Sequence, residues 1–277
     1  VRFQNLILLL IMTSFLLSSC SDEKKSTLFI LRNDIGIHFA NNLTYTEEFN
    51  PYTYRNFYNG GGVALGDINN DGHIDIYFTG NQVENKLYLN KGNWEYEDIS
   101  SSAGVTCPDV WSSGANFVDI NFDGYLDLYV CKAGKPEGGI RHNELFINNQ
   151  DGTFSNQAEA VGLDFKGFST QAVFFDYDND NDLDLFLLNH TVHSTRSYGD
   201  TSLRKERTPF TGDRLYKNEG NQFVDVTKES GIISSFISYG LGVSVADLNN
   251  DGWSDIYVGN DFYEDDYVYI NNQNGTF

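Results

Sequence analysis

An aspartate-rich pattern of nine residues constrains the fold of this chain more than any other feature, because it recurs four times. The first copy, DINNDGHID, begins at residue 67, and the others begin at residues 119, 176 and 247. Short side chains that carry oxygen occupy positions 1, 3, 5 and 9, and a glycine occupies position 6 in three copies. Such a repeat predicts a chain of successive similar units.

The segments around each copy predict short strands. In the first unit they read GVALG, then the loop, then IYFTGN, NKLYLN and WEYEDIS. The two-residue alternation and the lack of helix-length apolar faces exclude helical solenoids, and the rungs of a parallel β-helix are shorter than these units. We therefore predict an all-β fold of propeller blades, each a four-stranded antiparallel sheet with the loop between strands 1 and 2.

The repeats divide the chain into predicted units of about 50 residues. Blades are predicted at residues 61–105, 106–163, 164–232 and 233–277, preceded by a signal peptide (1–19), a tether (20–36) and a pre-repeat segment of unknown role (37–60). The fourth unit stops where its last strand should start, so we expect a C-terminally truncated part of a larger ring. The alternative is a closed four-bladed ring completed by residues 37–60.

Carboxylates at fixed spacing predict a cation in each loop. Thirteen of the 39 acidic residues occupy ligand positions, where like charges would repel each other without a cation. The predicted metal ligands, including a backbone carbonyl at position 7, are Asp67, Asn69, Asp71, His73, Asp75, Asp119, Asn121, Asp123, Tyr125, Asp127, Asp176, Asp178, Asp180, Asp182, Asp184, Asp247, Asn249, Asp251, Trp253 and Asp255. An all-oxygen, flexible ligand set favours Ca²⁺ over Mg²⁺.

The pattern differs from three kinds of loop with similar composition. EF-hands need a glutamate at position 12, but Phe78, Val130, Leu187 and Val258 stand there. Glycine-rich toxin repeats need a tandem nine-residue period, which is absent. Simple hairpin turns need one or two polar residues, not a set of converging carboxylates. The third loop is irregular, with Asn181 where the others have glycine, and asparagine tolerates the left-handed conformation.

The N-terminus predicts export. Arg2 precedes an apolar stretch, residues 6–17, that is too short for a stable membrane span. The segment ending at Cys20 resembles the lipobox of bacterial lipoproteins, which implies lipidation at Cys20 and an outer-membrane lipoprotein; the acidic residues that follow predict surface exposure. An ordinary secretory peptide is the alternative. The net charge of −21 argues against nucleic acid as a partner.

The other two cysteines, Cys107 and Cys131, leave two possibilities open. An exported protein can oxidise them to a disulfide. Two buried free thiols are the alternative, because the sequence does not give their separation.

The units resemble the FG-GAP/VCBS repeats of integrin-α-type β-propellers. The short motifs YFTGN, N-x-L-Y-x-N-x-G and A-G-[VI] are similar to motifs of the cartilage acidic protein/UnbV-like family. This resemblance implies a seven-bladed propeller, of which four blades are present, with about one Ca²⁺ per repeat in the loop between the first two strands. It implies no reaction.

The links between strands 2 and 3 should lie on the rim opposite the loops, and two of them carry insertions, at residues 131–142 and 189–213. Long loops on a rigid scaffold often bind ligands. The insertions hold seven cationic residues that form a predicted anion-binding patch: Lys132, Lys135, Arg141, Arg196, Arg204, Lys205 and Arg207. Local pairing with Glu137, Asp200 and Glu206 is the alternative. His190 and His193, beside His142 on this rim, are interpreted as ordinary loop residues; the alternative is a transition-metal or catalytic site, for which no third ligand is defined.

These patterns predict a non-enzymatic, calcium-stabilised propeller for extracellular recognition or adhesion, with a protein or acidic polysaccharide as partner. The membrane is contacted only through the lipid anchor. The alternative is the propeller part of a secreted enzyme that acts on polysaccharide, with its catalytic region on the insertion rim or in another segment. No HExxH, GxSxG or phosphate-binding glycine motif is present.

Overall fold

The computed structural model describes residues 28–134, 141–192, 201–220, 222–262 and 264–277. It divides into two units, one ending at Asp34 and one spanning Ile35–Phe277. The described part of the first unit, residues 28–34, has no helix or strand. Cys20, Lys135, His193 and Arg196 lie outside the described residues. Within the described ranges, no helix combines the length and apolar character needed to cross a membrane.

The second unit contains fifteen described strands in four antiparallel sheets, each with its strands in sequence order. The strands are β1 (Val63–Gly66), β2 (Asp75–Phe78), β3 (Lys86–Asn90), β4 (Tyr96–Asp98), β5 (Trp111–Val118), β6 (Asp127–Ala133), β7 (Glu144–Asn148), β8 (Phe154–Asn156), β9 (Ser169–Phe175), β10 (Asp184–Asn189), β11 (Arg214–Asn218), β12 (Phe223–Asp225), β13 (Gly240–Ala246), β14 (Asp255–Asn260) and β15 (Tyr267–Tyr269). The first three sheets have four strands and the last has three. These sheets are propeller blades, which confirms the predicted fold class.

The aspartate-rich loop joins the first two strands of every blade. The ninth residue of the loop begins the second strand and pairs with the last residue of the first strand, as Asp75 does with Gly66 and Asp127 with Val118. The first strands of successive blades contact each other in the order β1, β5, β9, β13. They therefore form the inner side of the array, and all the aspartate-rich loops lie on one rim.

Apolar side chains of neighbouring blades interdigitate in three cores, one at each joint. Tyr77 and Leu87 of the first blade pack with Leu128, Val130 and Phe146 of the second. Alternate residues of each strand face opposite sides, so one face of a blade fills the joint before it and the other fills the joint after it.

Among the described residues, none covers one such face of the fourth blade. Tyr257 is 41% exposed and Val268 is 55% exposed, whereas Tyr77 and Leu87, at the corresponding positions of the first blade, are 0% exposed. Leu248, at the second position of the fourth loop, is 52% exposed, against 4% for Ile68 in the first. This face has the apolar character of a blade joint.

The pre-repeat segment, whose role the sequence did not predict, packs onto the blades in two places. Phe39 stacks on Phe78 of the first blade with ring centroids 5.0 Å apart. Further on, Phe49, Tyr54 and Phe57 are buried against Trp111 and Ala133. A 3₁₀ turn, Arg55–Tyr58, lies in this second region. The segment therefore covers the face of the first blade that points away from the second blade. It also covers part of the rim that carries the links between strands 2 and 3.

Two short helical turns follow the outer strands. They are α1 (Ser100–Ala103) and α2 (Ala158–Val161), and each ends at a glycine in the left-handed conformation, Gly104 and Gly162. The sequence predicted a fourth strand through residue 100, whereas β4 ends at Asp98. The small residues and the glycine allow the chain to turn there instead. A second 3₁₀ turn, Thr201–Lys205, lies in the insertion at residues 189–213.

Cys107 and Cys131 are both buried free thiols. Of the two possibilities that the sequence left open, the structure therefore has the unpaired one.

Candidate metal centres

The first aspartate of each loop closes the loop through hydrogen bonds to its backbone. Asp67 accepts the N–H groups of Asp71 and Gly72 at 3.1 and 2.7 Å. Asp71 in turn accepts the N–H of His73 at 2.9 Å, and the amide of Asn69 donates to Asp71 Oδ2 at 3.0 Å. Positions 1, 3, 5 and 7 are thereby gathered around one small space.

The second and fourth loops have the same geometry. Asp119 accepts the N–H groups of positions 5 and 6 at 3.1 and 2.9 Å, and Asp247 does so at 3.0 and 2.8 Å. Tyr125 and Trp253 each donate an N–H to the aspartate at position 5 at 2.9 Å. The glycine at position 6 has a positive φ in all three of these loops, 86–87°. This conformation accounts for glycine at this position.

The aspartate at position 9 of each loop is buried and links the loop to a strand through hydrogen bonds. Asp75 is 0% exposed and accepts the N–H of Ile68 at 2.9 Å with one oxygen and that of Asn90, in β3, at 2.7 Å with the other. The same pair of bonds recurs in the other blades, at 2.8–3.2 Å, for Asp127 with Ile120 and Asn148, Asp184 with Tyr177 and Asn218, and Asp255 with Leu248 and Asn271. The loop is therefore fixed to the third strand of its own blade.

Asparagine side chains also connect neighbouring blades at this rim. Asn148 donates from its amide to the Ile68 carbonyl of the preceding blade at 2.8 Å, and Asn271 donates to that of Tyr177 at 2.8 Å. Asn70 of the first loop donates to the Gly124 carbonyl of the second at 2.9 Å. Sequence reasoning missed these bonds between blades. The asparagine that ends NKLYLN, NELFIN, DRLYKN and YVYIN was the available signal.

The third loop differs in its charges. Asn181 replaces the glycine and adopts a φ of 72°, the left-handed conformation predicted from the sequence. Ligand oxygens of Asp176, Asp178 and Asp184 lie within 4.8 Å of one another, which makes them a group that could hold a metal ion. Asp178 Oδ1 and Asp182 Oδ1 are buried and have no hydrogen-bond partner among the residues that the structure describes.

The donor set of the loops fits a hard divalent cation. Every predicted side-chain ligand is a carboxylate or an amide oxygen, and the two unpartnered buried oxygens of the third loop are unsatisfied acceptors of the kind that a cation would satisfy. The side chains at positions 1, 3, 5 and 9 would hold the ion, together with the backbone at position 7. Ca²⁺ would supply positive charge that offsets the repulsion among these carboxylates.

Comparison with known proteins identifies the family of the repeats. The family model described as FG-GAP-like repeat matches residues 67–130, 136–187 and 207–258, which is more than half of the chain. This chain belongs to the FG-GAP-like repeat family. Cartilage acidic protein 1 from Xenopus tropicalis is 26% identical over 218 residues, which cover 73% of this chain and 29% of that protein.

Two mammalian relatives give similar figures. Cartilage acidic protein 1 from Mus musculus is 26% identical over 214 residues, covering 72% of this chain and 28% of that protein, and the Homo sapiens protein is 26% identical over 214 residues, covering 73% and 28%. The FG-GAP chain therefore spans less than a third of the length of these curated relatives.

Burial raises the pKa of several carboxyl groups in the FG-GAP loops and of Asp213, which lies on the opposite rim, where it accepts the Asn189 N–H at 3.0 Å. The pKa of Asp127 is raised to about 6 and that of Asp184 to about 7, chiefly because these groups are removed from water and also because other loop carboxylates lie nearby. The pKa of Asp182 is raised to about 6 and that of Asp213 to about 7, again mainly by burial. Burial lowers the pKa of His190 to about 4.

We expect the metal-free protein to lose stability as the pH rises from about 5 to about 8. The four raised carboxyl groups hold protons more tightly in the folded state than in the unfolded state, so their deprotonation opposes folding across this window. His190 acts in the opposite direction only below its unfolded pKa of about 6.5. A fall in melting temperature of about 5 °C is expected in metal-free buffer.

The control is the same series with saturating Ca²⁺, which favours the ionised carboxylates and should abolish or reverse the trend. A metal-free melting temperature that stays level or rises between about pH 5 and about pH 8 would contradict the prediction.

On the opposite rim, the structure changes the interpretation of the cationic patch. Lys132 is 1% exposed, and its Nζ lies 2.6 Å from Glu144 Oε2. Its inclusion in a ligand-binding surface is therefore wrong, because the side chain points into the protein and is neutralised there. Arg141 lies over the Phe168 ring at 4.5 Å.

Two described cations of the insertion at residues 189–213 also have local partners. Arg204 contacts Glu264 at 3.3 Å and Asp265 at 3.4 Å, and Arg207 donates to the Ile232 carbonyl at 3.1 Å. The alternative of local pairing is favoured for these two side chains, although the partners differ from the ones that the sequence suggested. Lys205 is exposed.

His190 is buried at the centre of an aromatic group. Its Nε2 lies 3.4 Å from the Tyr54 hydroxyl, and the rings of Phe168 and Tyr239 lie beside it. A cleft of about 290 Å³ is lined by His190, Tyr54 and Trp111 together with the starts of the inner strands. The pre-repeat segment therefore covers His190, and the interpretation that this histidine has no metal or catalytic role stays a prediction.

Proposed function

We propose that this FG-GAP protein is a calcium-stabilised propeller of the cell envelope that serves extracellular recognition or adhesion. About one cation would occupy the loop of each repeat, and the ligand would be a protein or an acidic polysaccharide. The proposal assigns no reaction to the chain. The sequence ending at Cys20 supports anchoring by a lipid at the outer membrane, and the proposal includes no other membrane contact.

The observation that carries this proposal is the repeated loop geometry. In the three regular loops, carboxylate and amide oxygens converge at the same four positions, and the ninth aspartate connects the loop to the third strand. A cation bound there would fix the loop, the strand and the adjoining blade together. Rigidity of this kind suits a scaffold that presents loops for binding.

The opposite rim supports ligand binding better than the loop rim does. It carries the described parts of the insertions at residues 131–142 and 189–213, the aromatic pre-repeat segment and the cleft beside His190. Tyr52 and Tyr58 of this segment are 98% and 65% exposed. Exposed tyrosines provide rigid apolar surface with a polar tip, which suits protein and sugar ligands. Lys205 adds an exposed positive charge.

The test is binding of the calcium-loaded protein to an array of acidic polysaccharides and matrix proteins. Lys205→Glu should weaken binding about tenfold or more, because it reverses a charge on the proposed binding rim. Lys91→Glu is the matched control, since Lys91 is an exposed lysine near the loop rim, 3.7 Å from Glu97. Equal effects of the two variants would count against the proposed surface. Turnover of a bound polysaccharide would favour the enzyme alternative.

A further inference from the structure

The third FG-GAP loop carries more negative charge than its three counterparts. Asp178 stands where the others have asparagine, and Asp182 stands at position 7, where the others have His73, Tyr125 or Trp253. The third loop therefore contains five carboxylates, whereas each of the others contains three. Repulsion among them should make this loop the hardest to close without a counter-charge.

The same blade supplies a positive charge at this loop. Lys217, in β11, directs its ammonium group to Asp178 and to Asp180, whose Oδ2 is 3.1 Å from Nζ. The ammonium thus contacts the ligand positions 3 and 5. Lys217 directly precedes Asn218, which braces Asp184. The hydrogen bond between Asn218 and Asp184 therefore fixes the backbone beside Lys217 relative to the loop.

The residue at this place is apolar in the other three blades. Leu89, Ile147 and Ile270 precede the bracing asparagines there. In those blades the Oδ2 atom of the aspartate at position 5 accepts a hydrogen bond from the side-chain amide of the asparagine at position 3, at 3.0–3.1 Å. In the third blade, the same oxygen of Asp180 contacts the Lys217 ammonium instead. The extra carboxylates and the lysine therefore occur together in one blade, and neither occurs in the others.

We propose that the Lys217 ammonium is a built-in counter-cation of the third loop, which competes with a divalent cation for that site. The loop closes around Lys217 without a metal ion, and Ca²⁺ can enter only when the ammonium leaves Asp178 and Asp180. The third loop is consequently the last of the four to fill. This inference rests on the proposed binding of Ca²⁺ by the other loops.

Two separate effects are expected of a Lys217→Leu variant. Its third loop should bind Ca²⁺ at least about tenfold more tightly than in the wild type, because no charge-assisted contact has to be broken first. Its metal-free form should melt at a lower temperature than the metal-free wild type, because five carboxylates then lack their counter-charge. Equilibrium dialysis against Ca²⁺ and thermal melting in metal-free buffer measure the two effects separately.

Ile270→Lys is the reciprocal variant, and it keeps the test decisive if Lys217→Leu folds poorly. Ile270 is 42% exposed, so the fourth blade can accept a lysine there. This variant should weaken the tight binding at one regular loop. The inference is overturned if Lys217→Leu leaves the Ca²⁺ affinity of the weakest site unchanged and Ile270→Lys leaves the affinity of the tight sites unchanged. It is also overturned if the metal-free Lys217→Leu protein is as stable as the wild type.

Failure of the proposed function has a different signature. If no loop of the wild type or of Lys217→Leu binds Ca²⁺, both the calcium proposal and the competition are wrong. If the wild type fills all four loops with equal affinity, only the competition is wrong.

Discussion

Saturating Ca²⁺ is expected to raise the melting temperature of this protein by more than about 10 °C over the metal-free form. A ligand that binds only the folded state contributes about 2.7 kcal/mol per independent site at about one hundred times its dissociation constant. Three regular loops would together add about 8 kcal/mol on that basis. The gain should be cooperative across blades, because Asn70 joins the first loop to the second and Asn148 joins the second blade to the first.

Differential scanning calorimetry with added Ca²⁺, and again after excess chelator, measures the shift and its reversal. Mg²⁺ at the same concentration is the control, and it should have a smaller effect because it needs a stricter octahedral geometry. An unchanged melting temperature with Ca²⁺ would remove the basis for a metal in these loops.

The second large effect is expected from the buried ion pair at the joint of the first two blades. Glu144→Ala should lower the free energy of unfolding by about 3–5 kcal/mol, because it leaves Lys132 charged and buried without its partner. The variant also removes the acceptor of the Cys107 thiol, whose Sγ lies 2.7 Å from Glu144 Oε2. Urea denaturation at saturating Ca²⁺ measures the loss apart from any change in metal binding.

Glu97→Ala is the matched control for this variant. Glu97 pairs with Lys91 at 3.7 Å, but both side chains are at least half exposed, so the loss should be below about 1 kcal/mol. A double variant, Lys132→Met with Glu144→Leu, should recover most of the stability because it leaves no buried charge. Similar losses from Glu144→Ala and Glu97→Ala would contradict the assigned role of the buried pair.

The sequence predicted the elements whose signals are local. The spacing of Asp67 to Asp75 and the alternation of the strands that follow are both contained within one unit, so the blade and its loop could be derived without knowing any distant contact. The left-handed conformation of Asn181 was predictable for the same reason, since it depends on the position of the residue within a repeated turn.

The features that the sequence did not predict depend on contacts between distant segments. Lys132 has the composition of a surface residue, and only the packing of β6 against its neighbours shows that it is buried beside Glu144. His190 is covered by Tyr54, which precedes it by 136 residues. The sequence shows that Lys217 replaces the apolar residue of the other blades. Its contacts with Asp178 and Asp180 could not be predicted, because they depend on where the third loop lies relative to β11.

The two flanks of the described blade array differ in what covers them. Phe39 covers the first blade, while Tyr257 and Val268 leave the fourth blade with an apolar face. Because each blade packs on the blades beside it, we expect folding to nucleate within the array and to propagate from blade to blade, as it does in arrays where each repeat contacts only its neighbours.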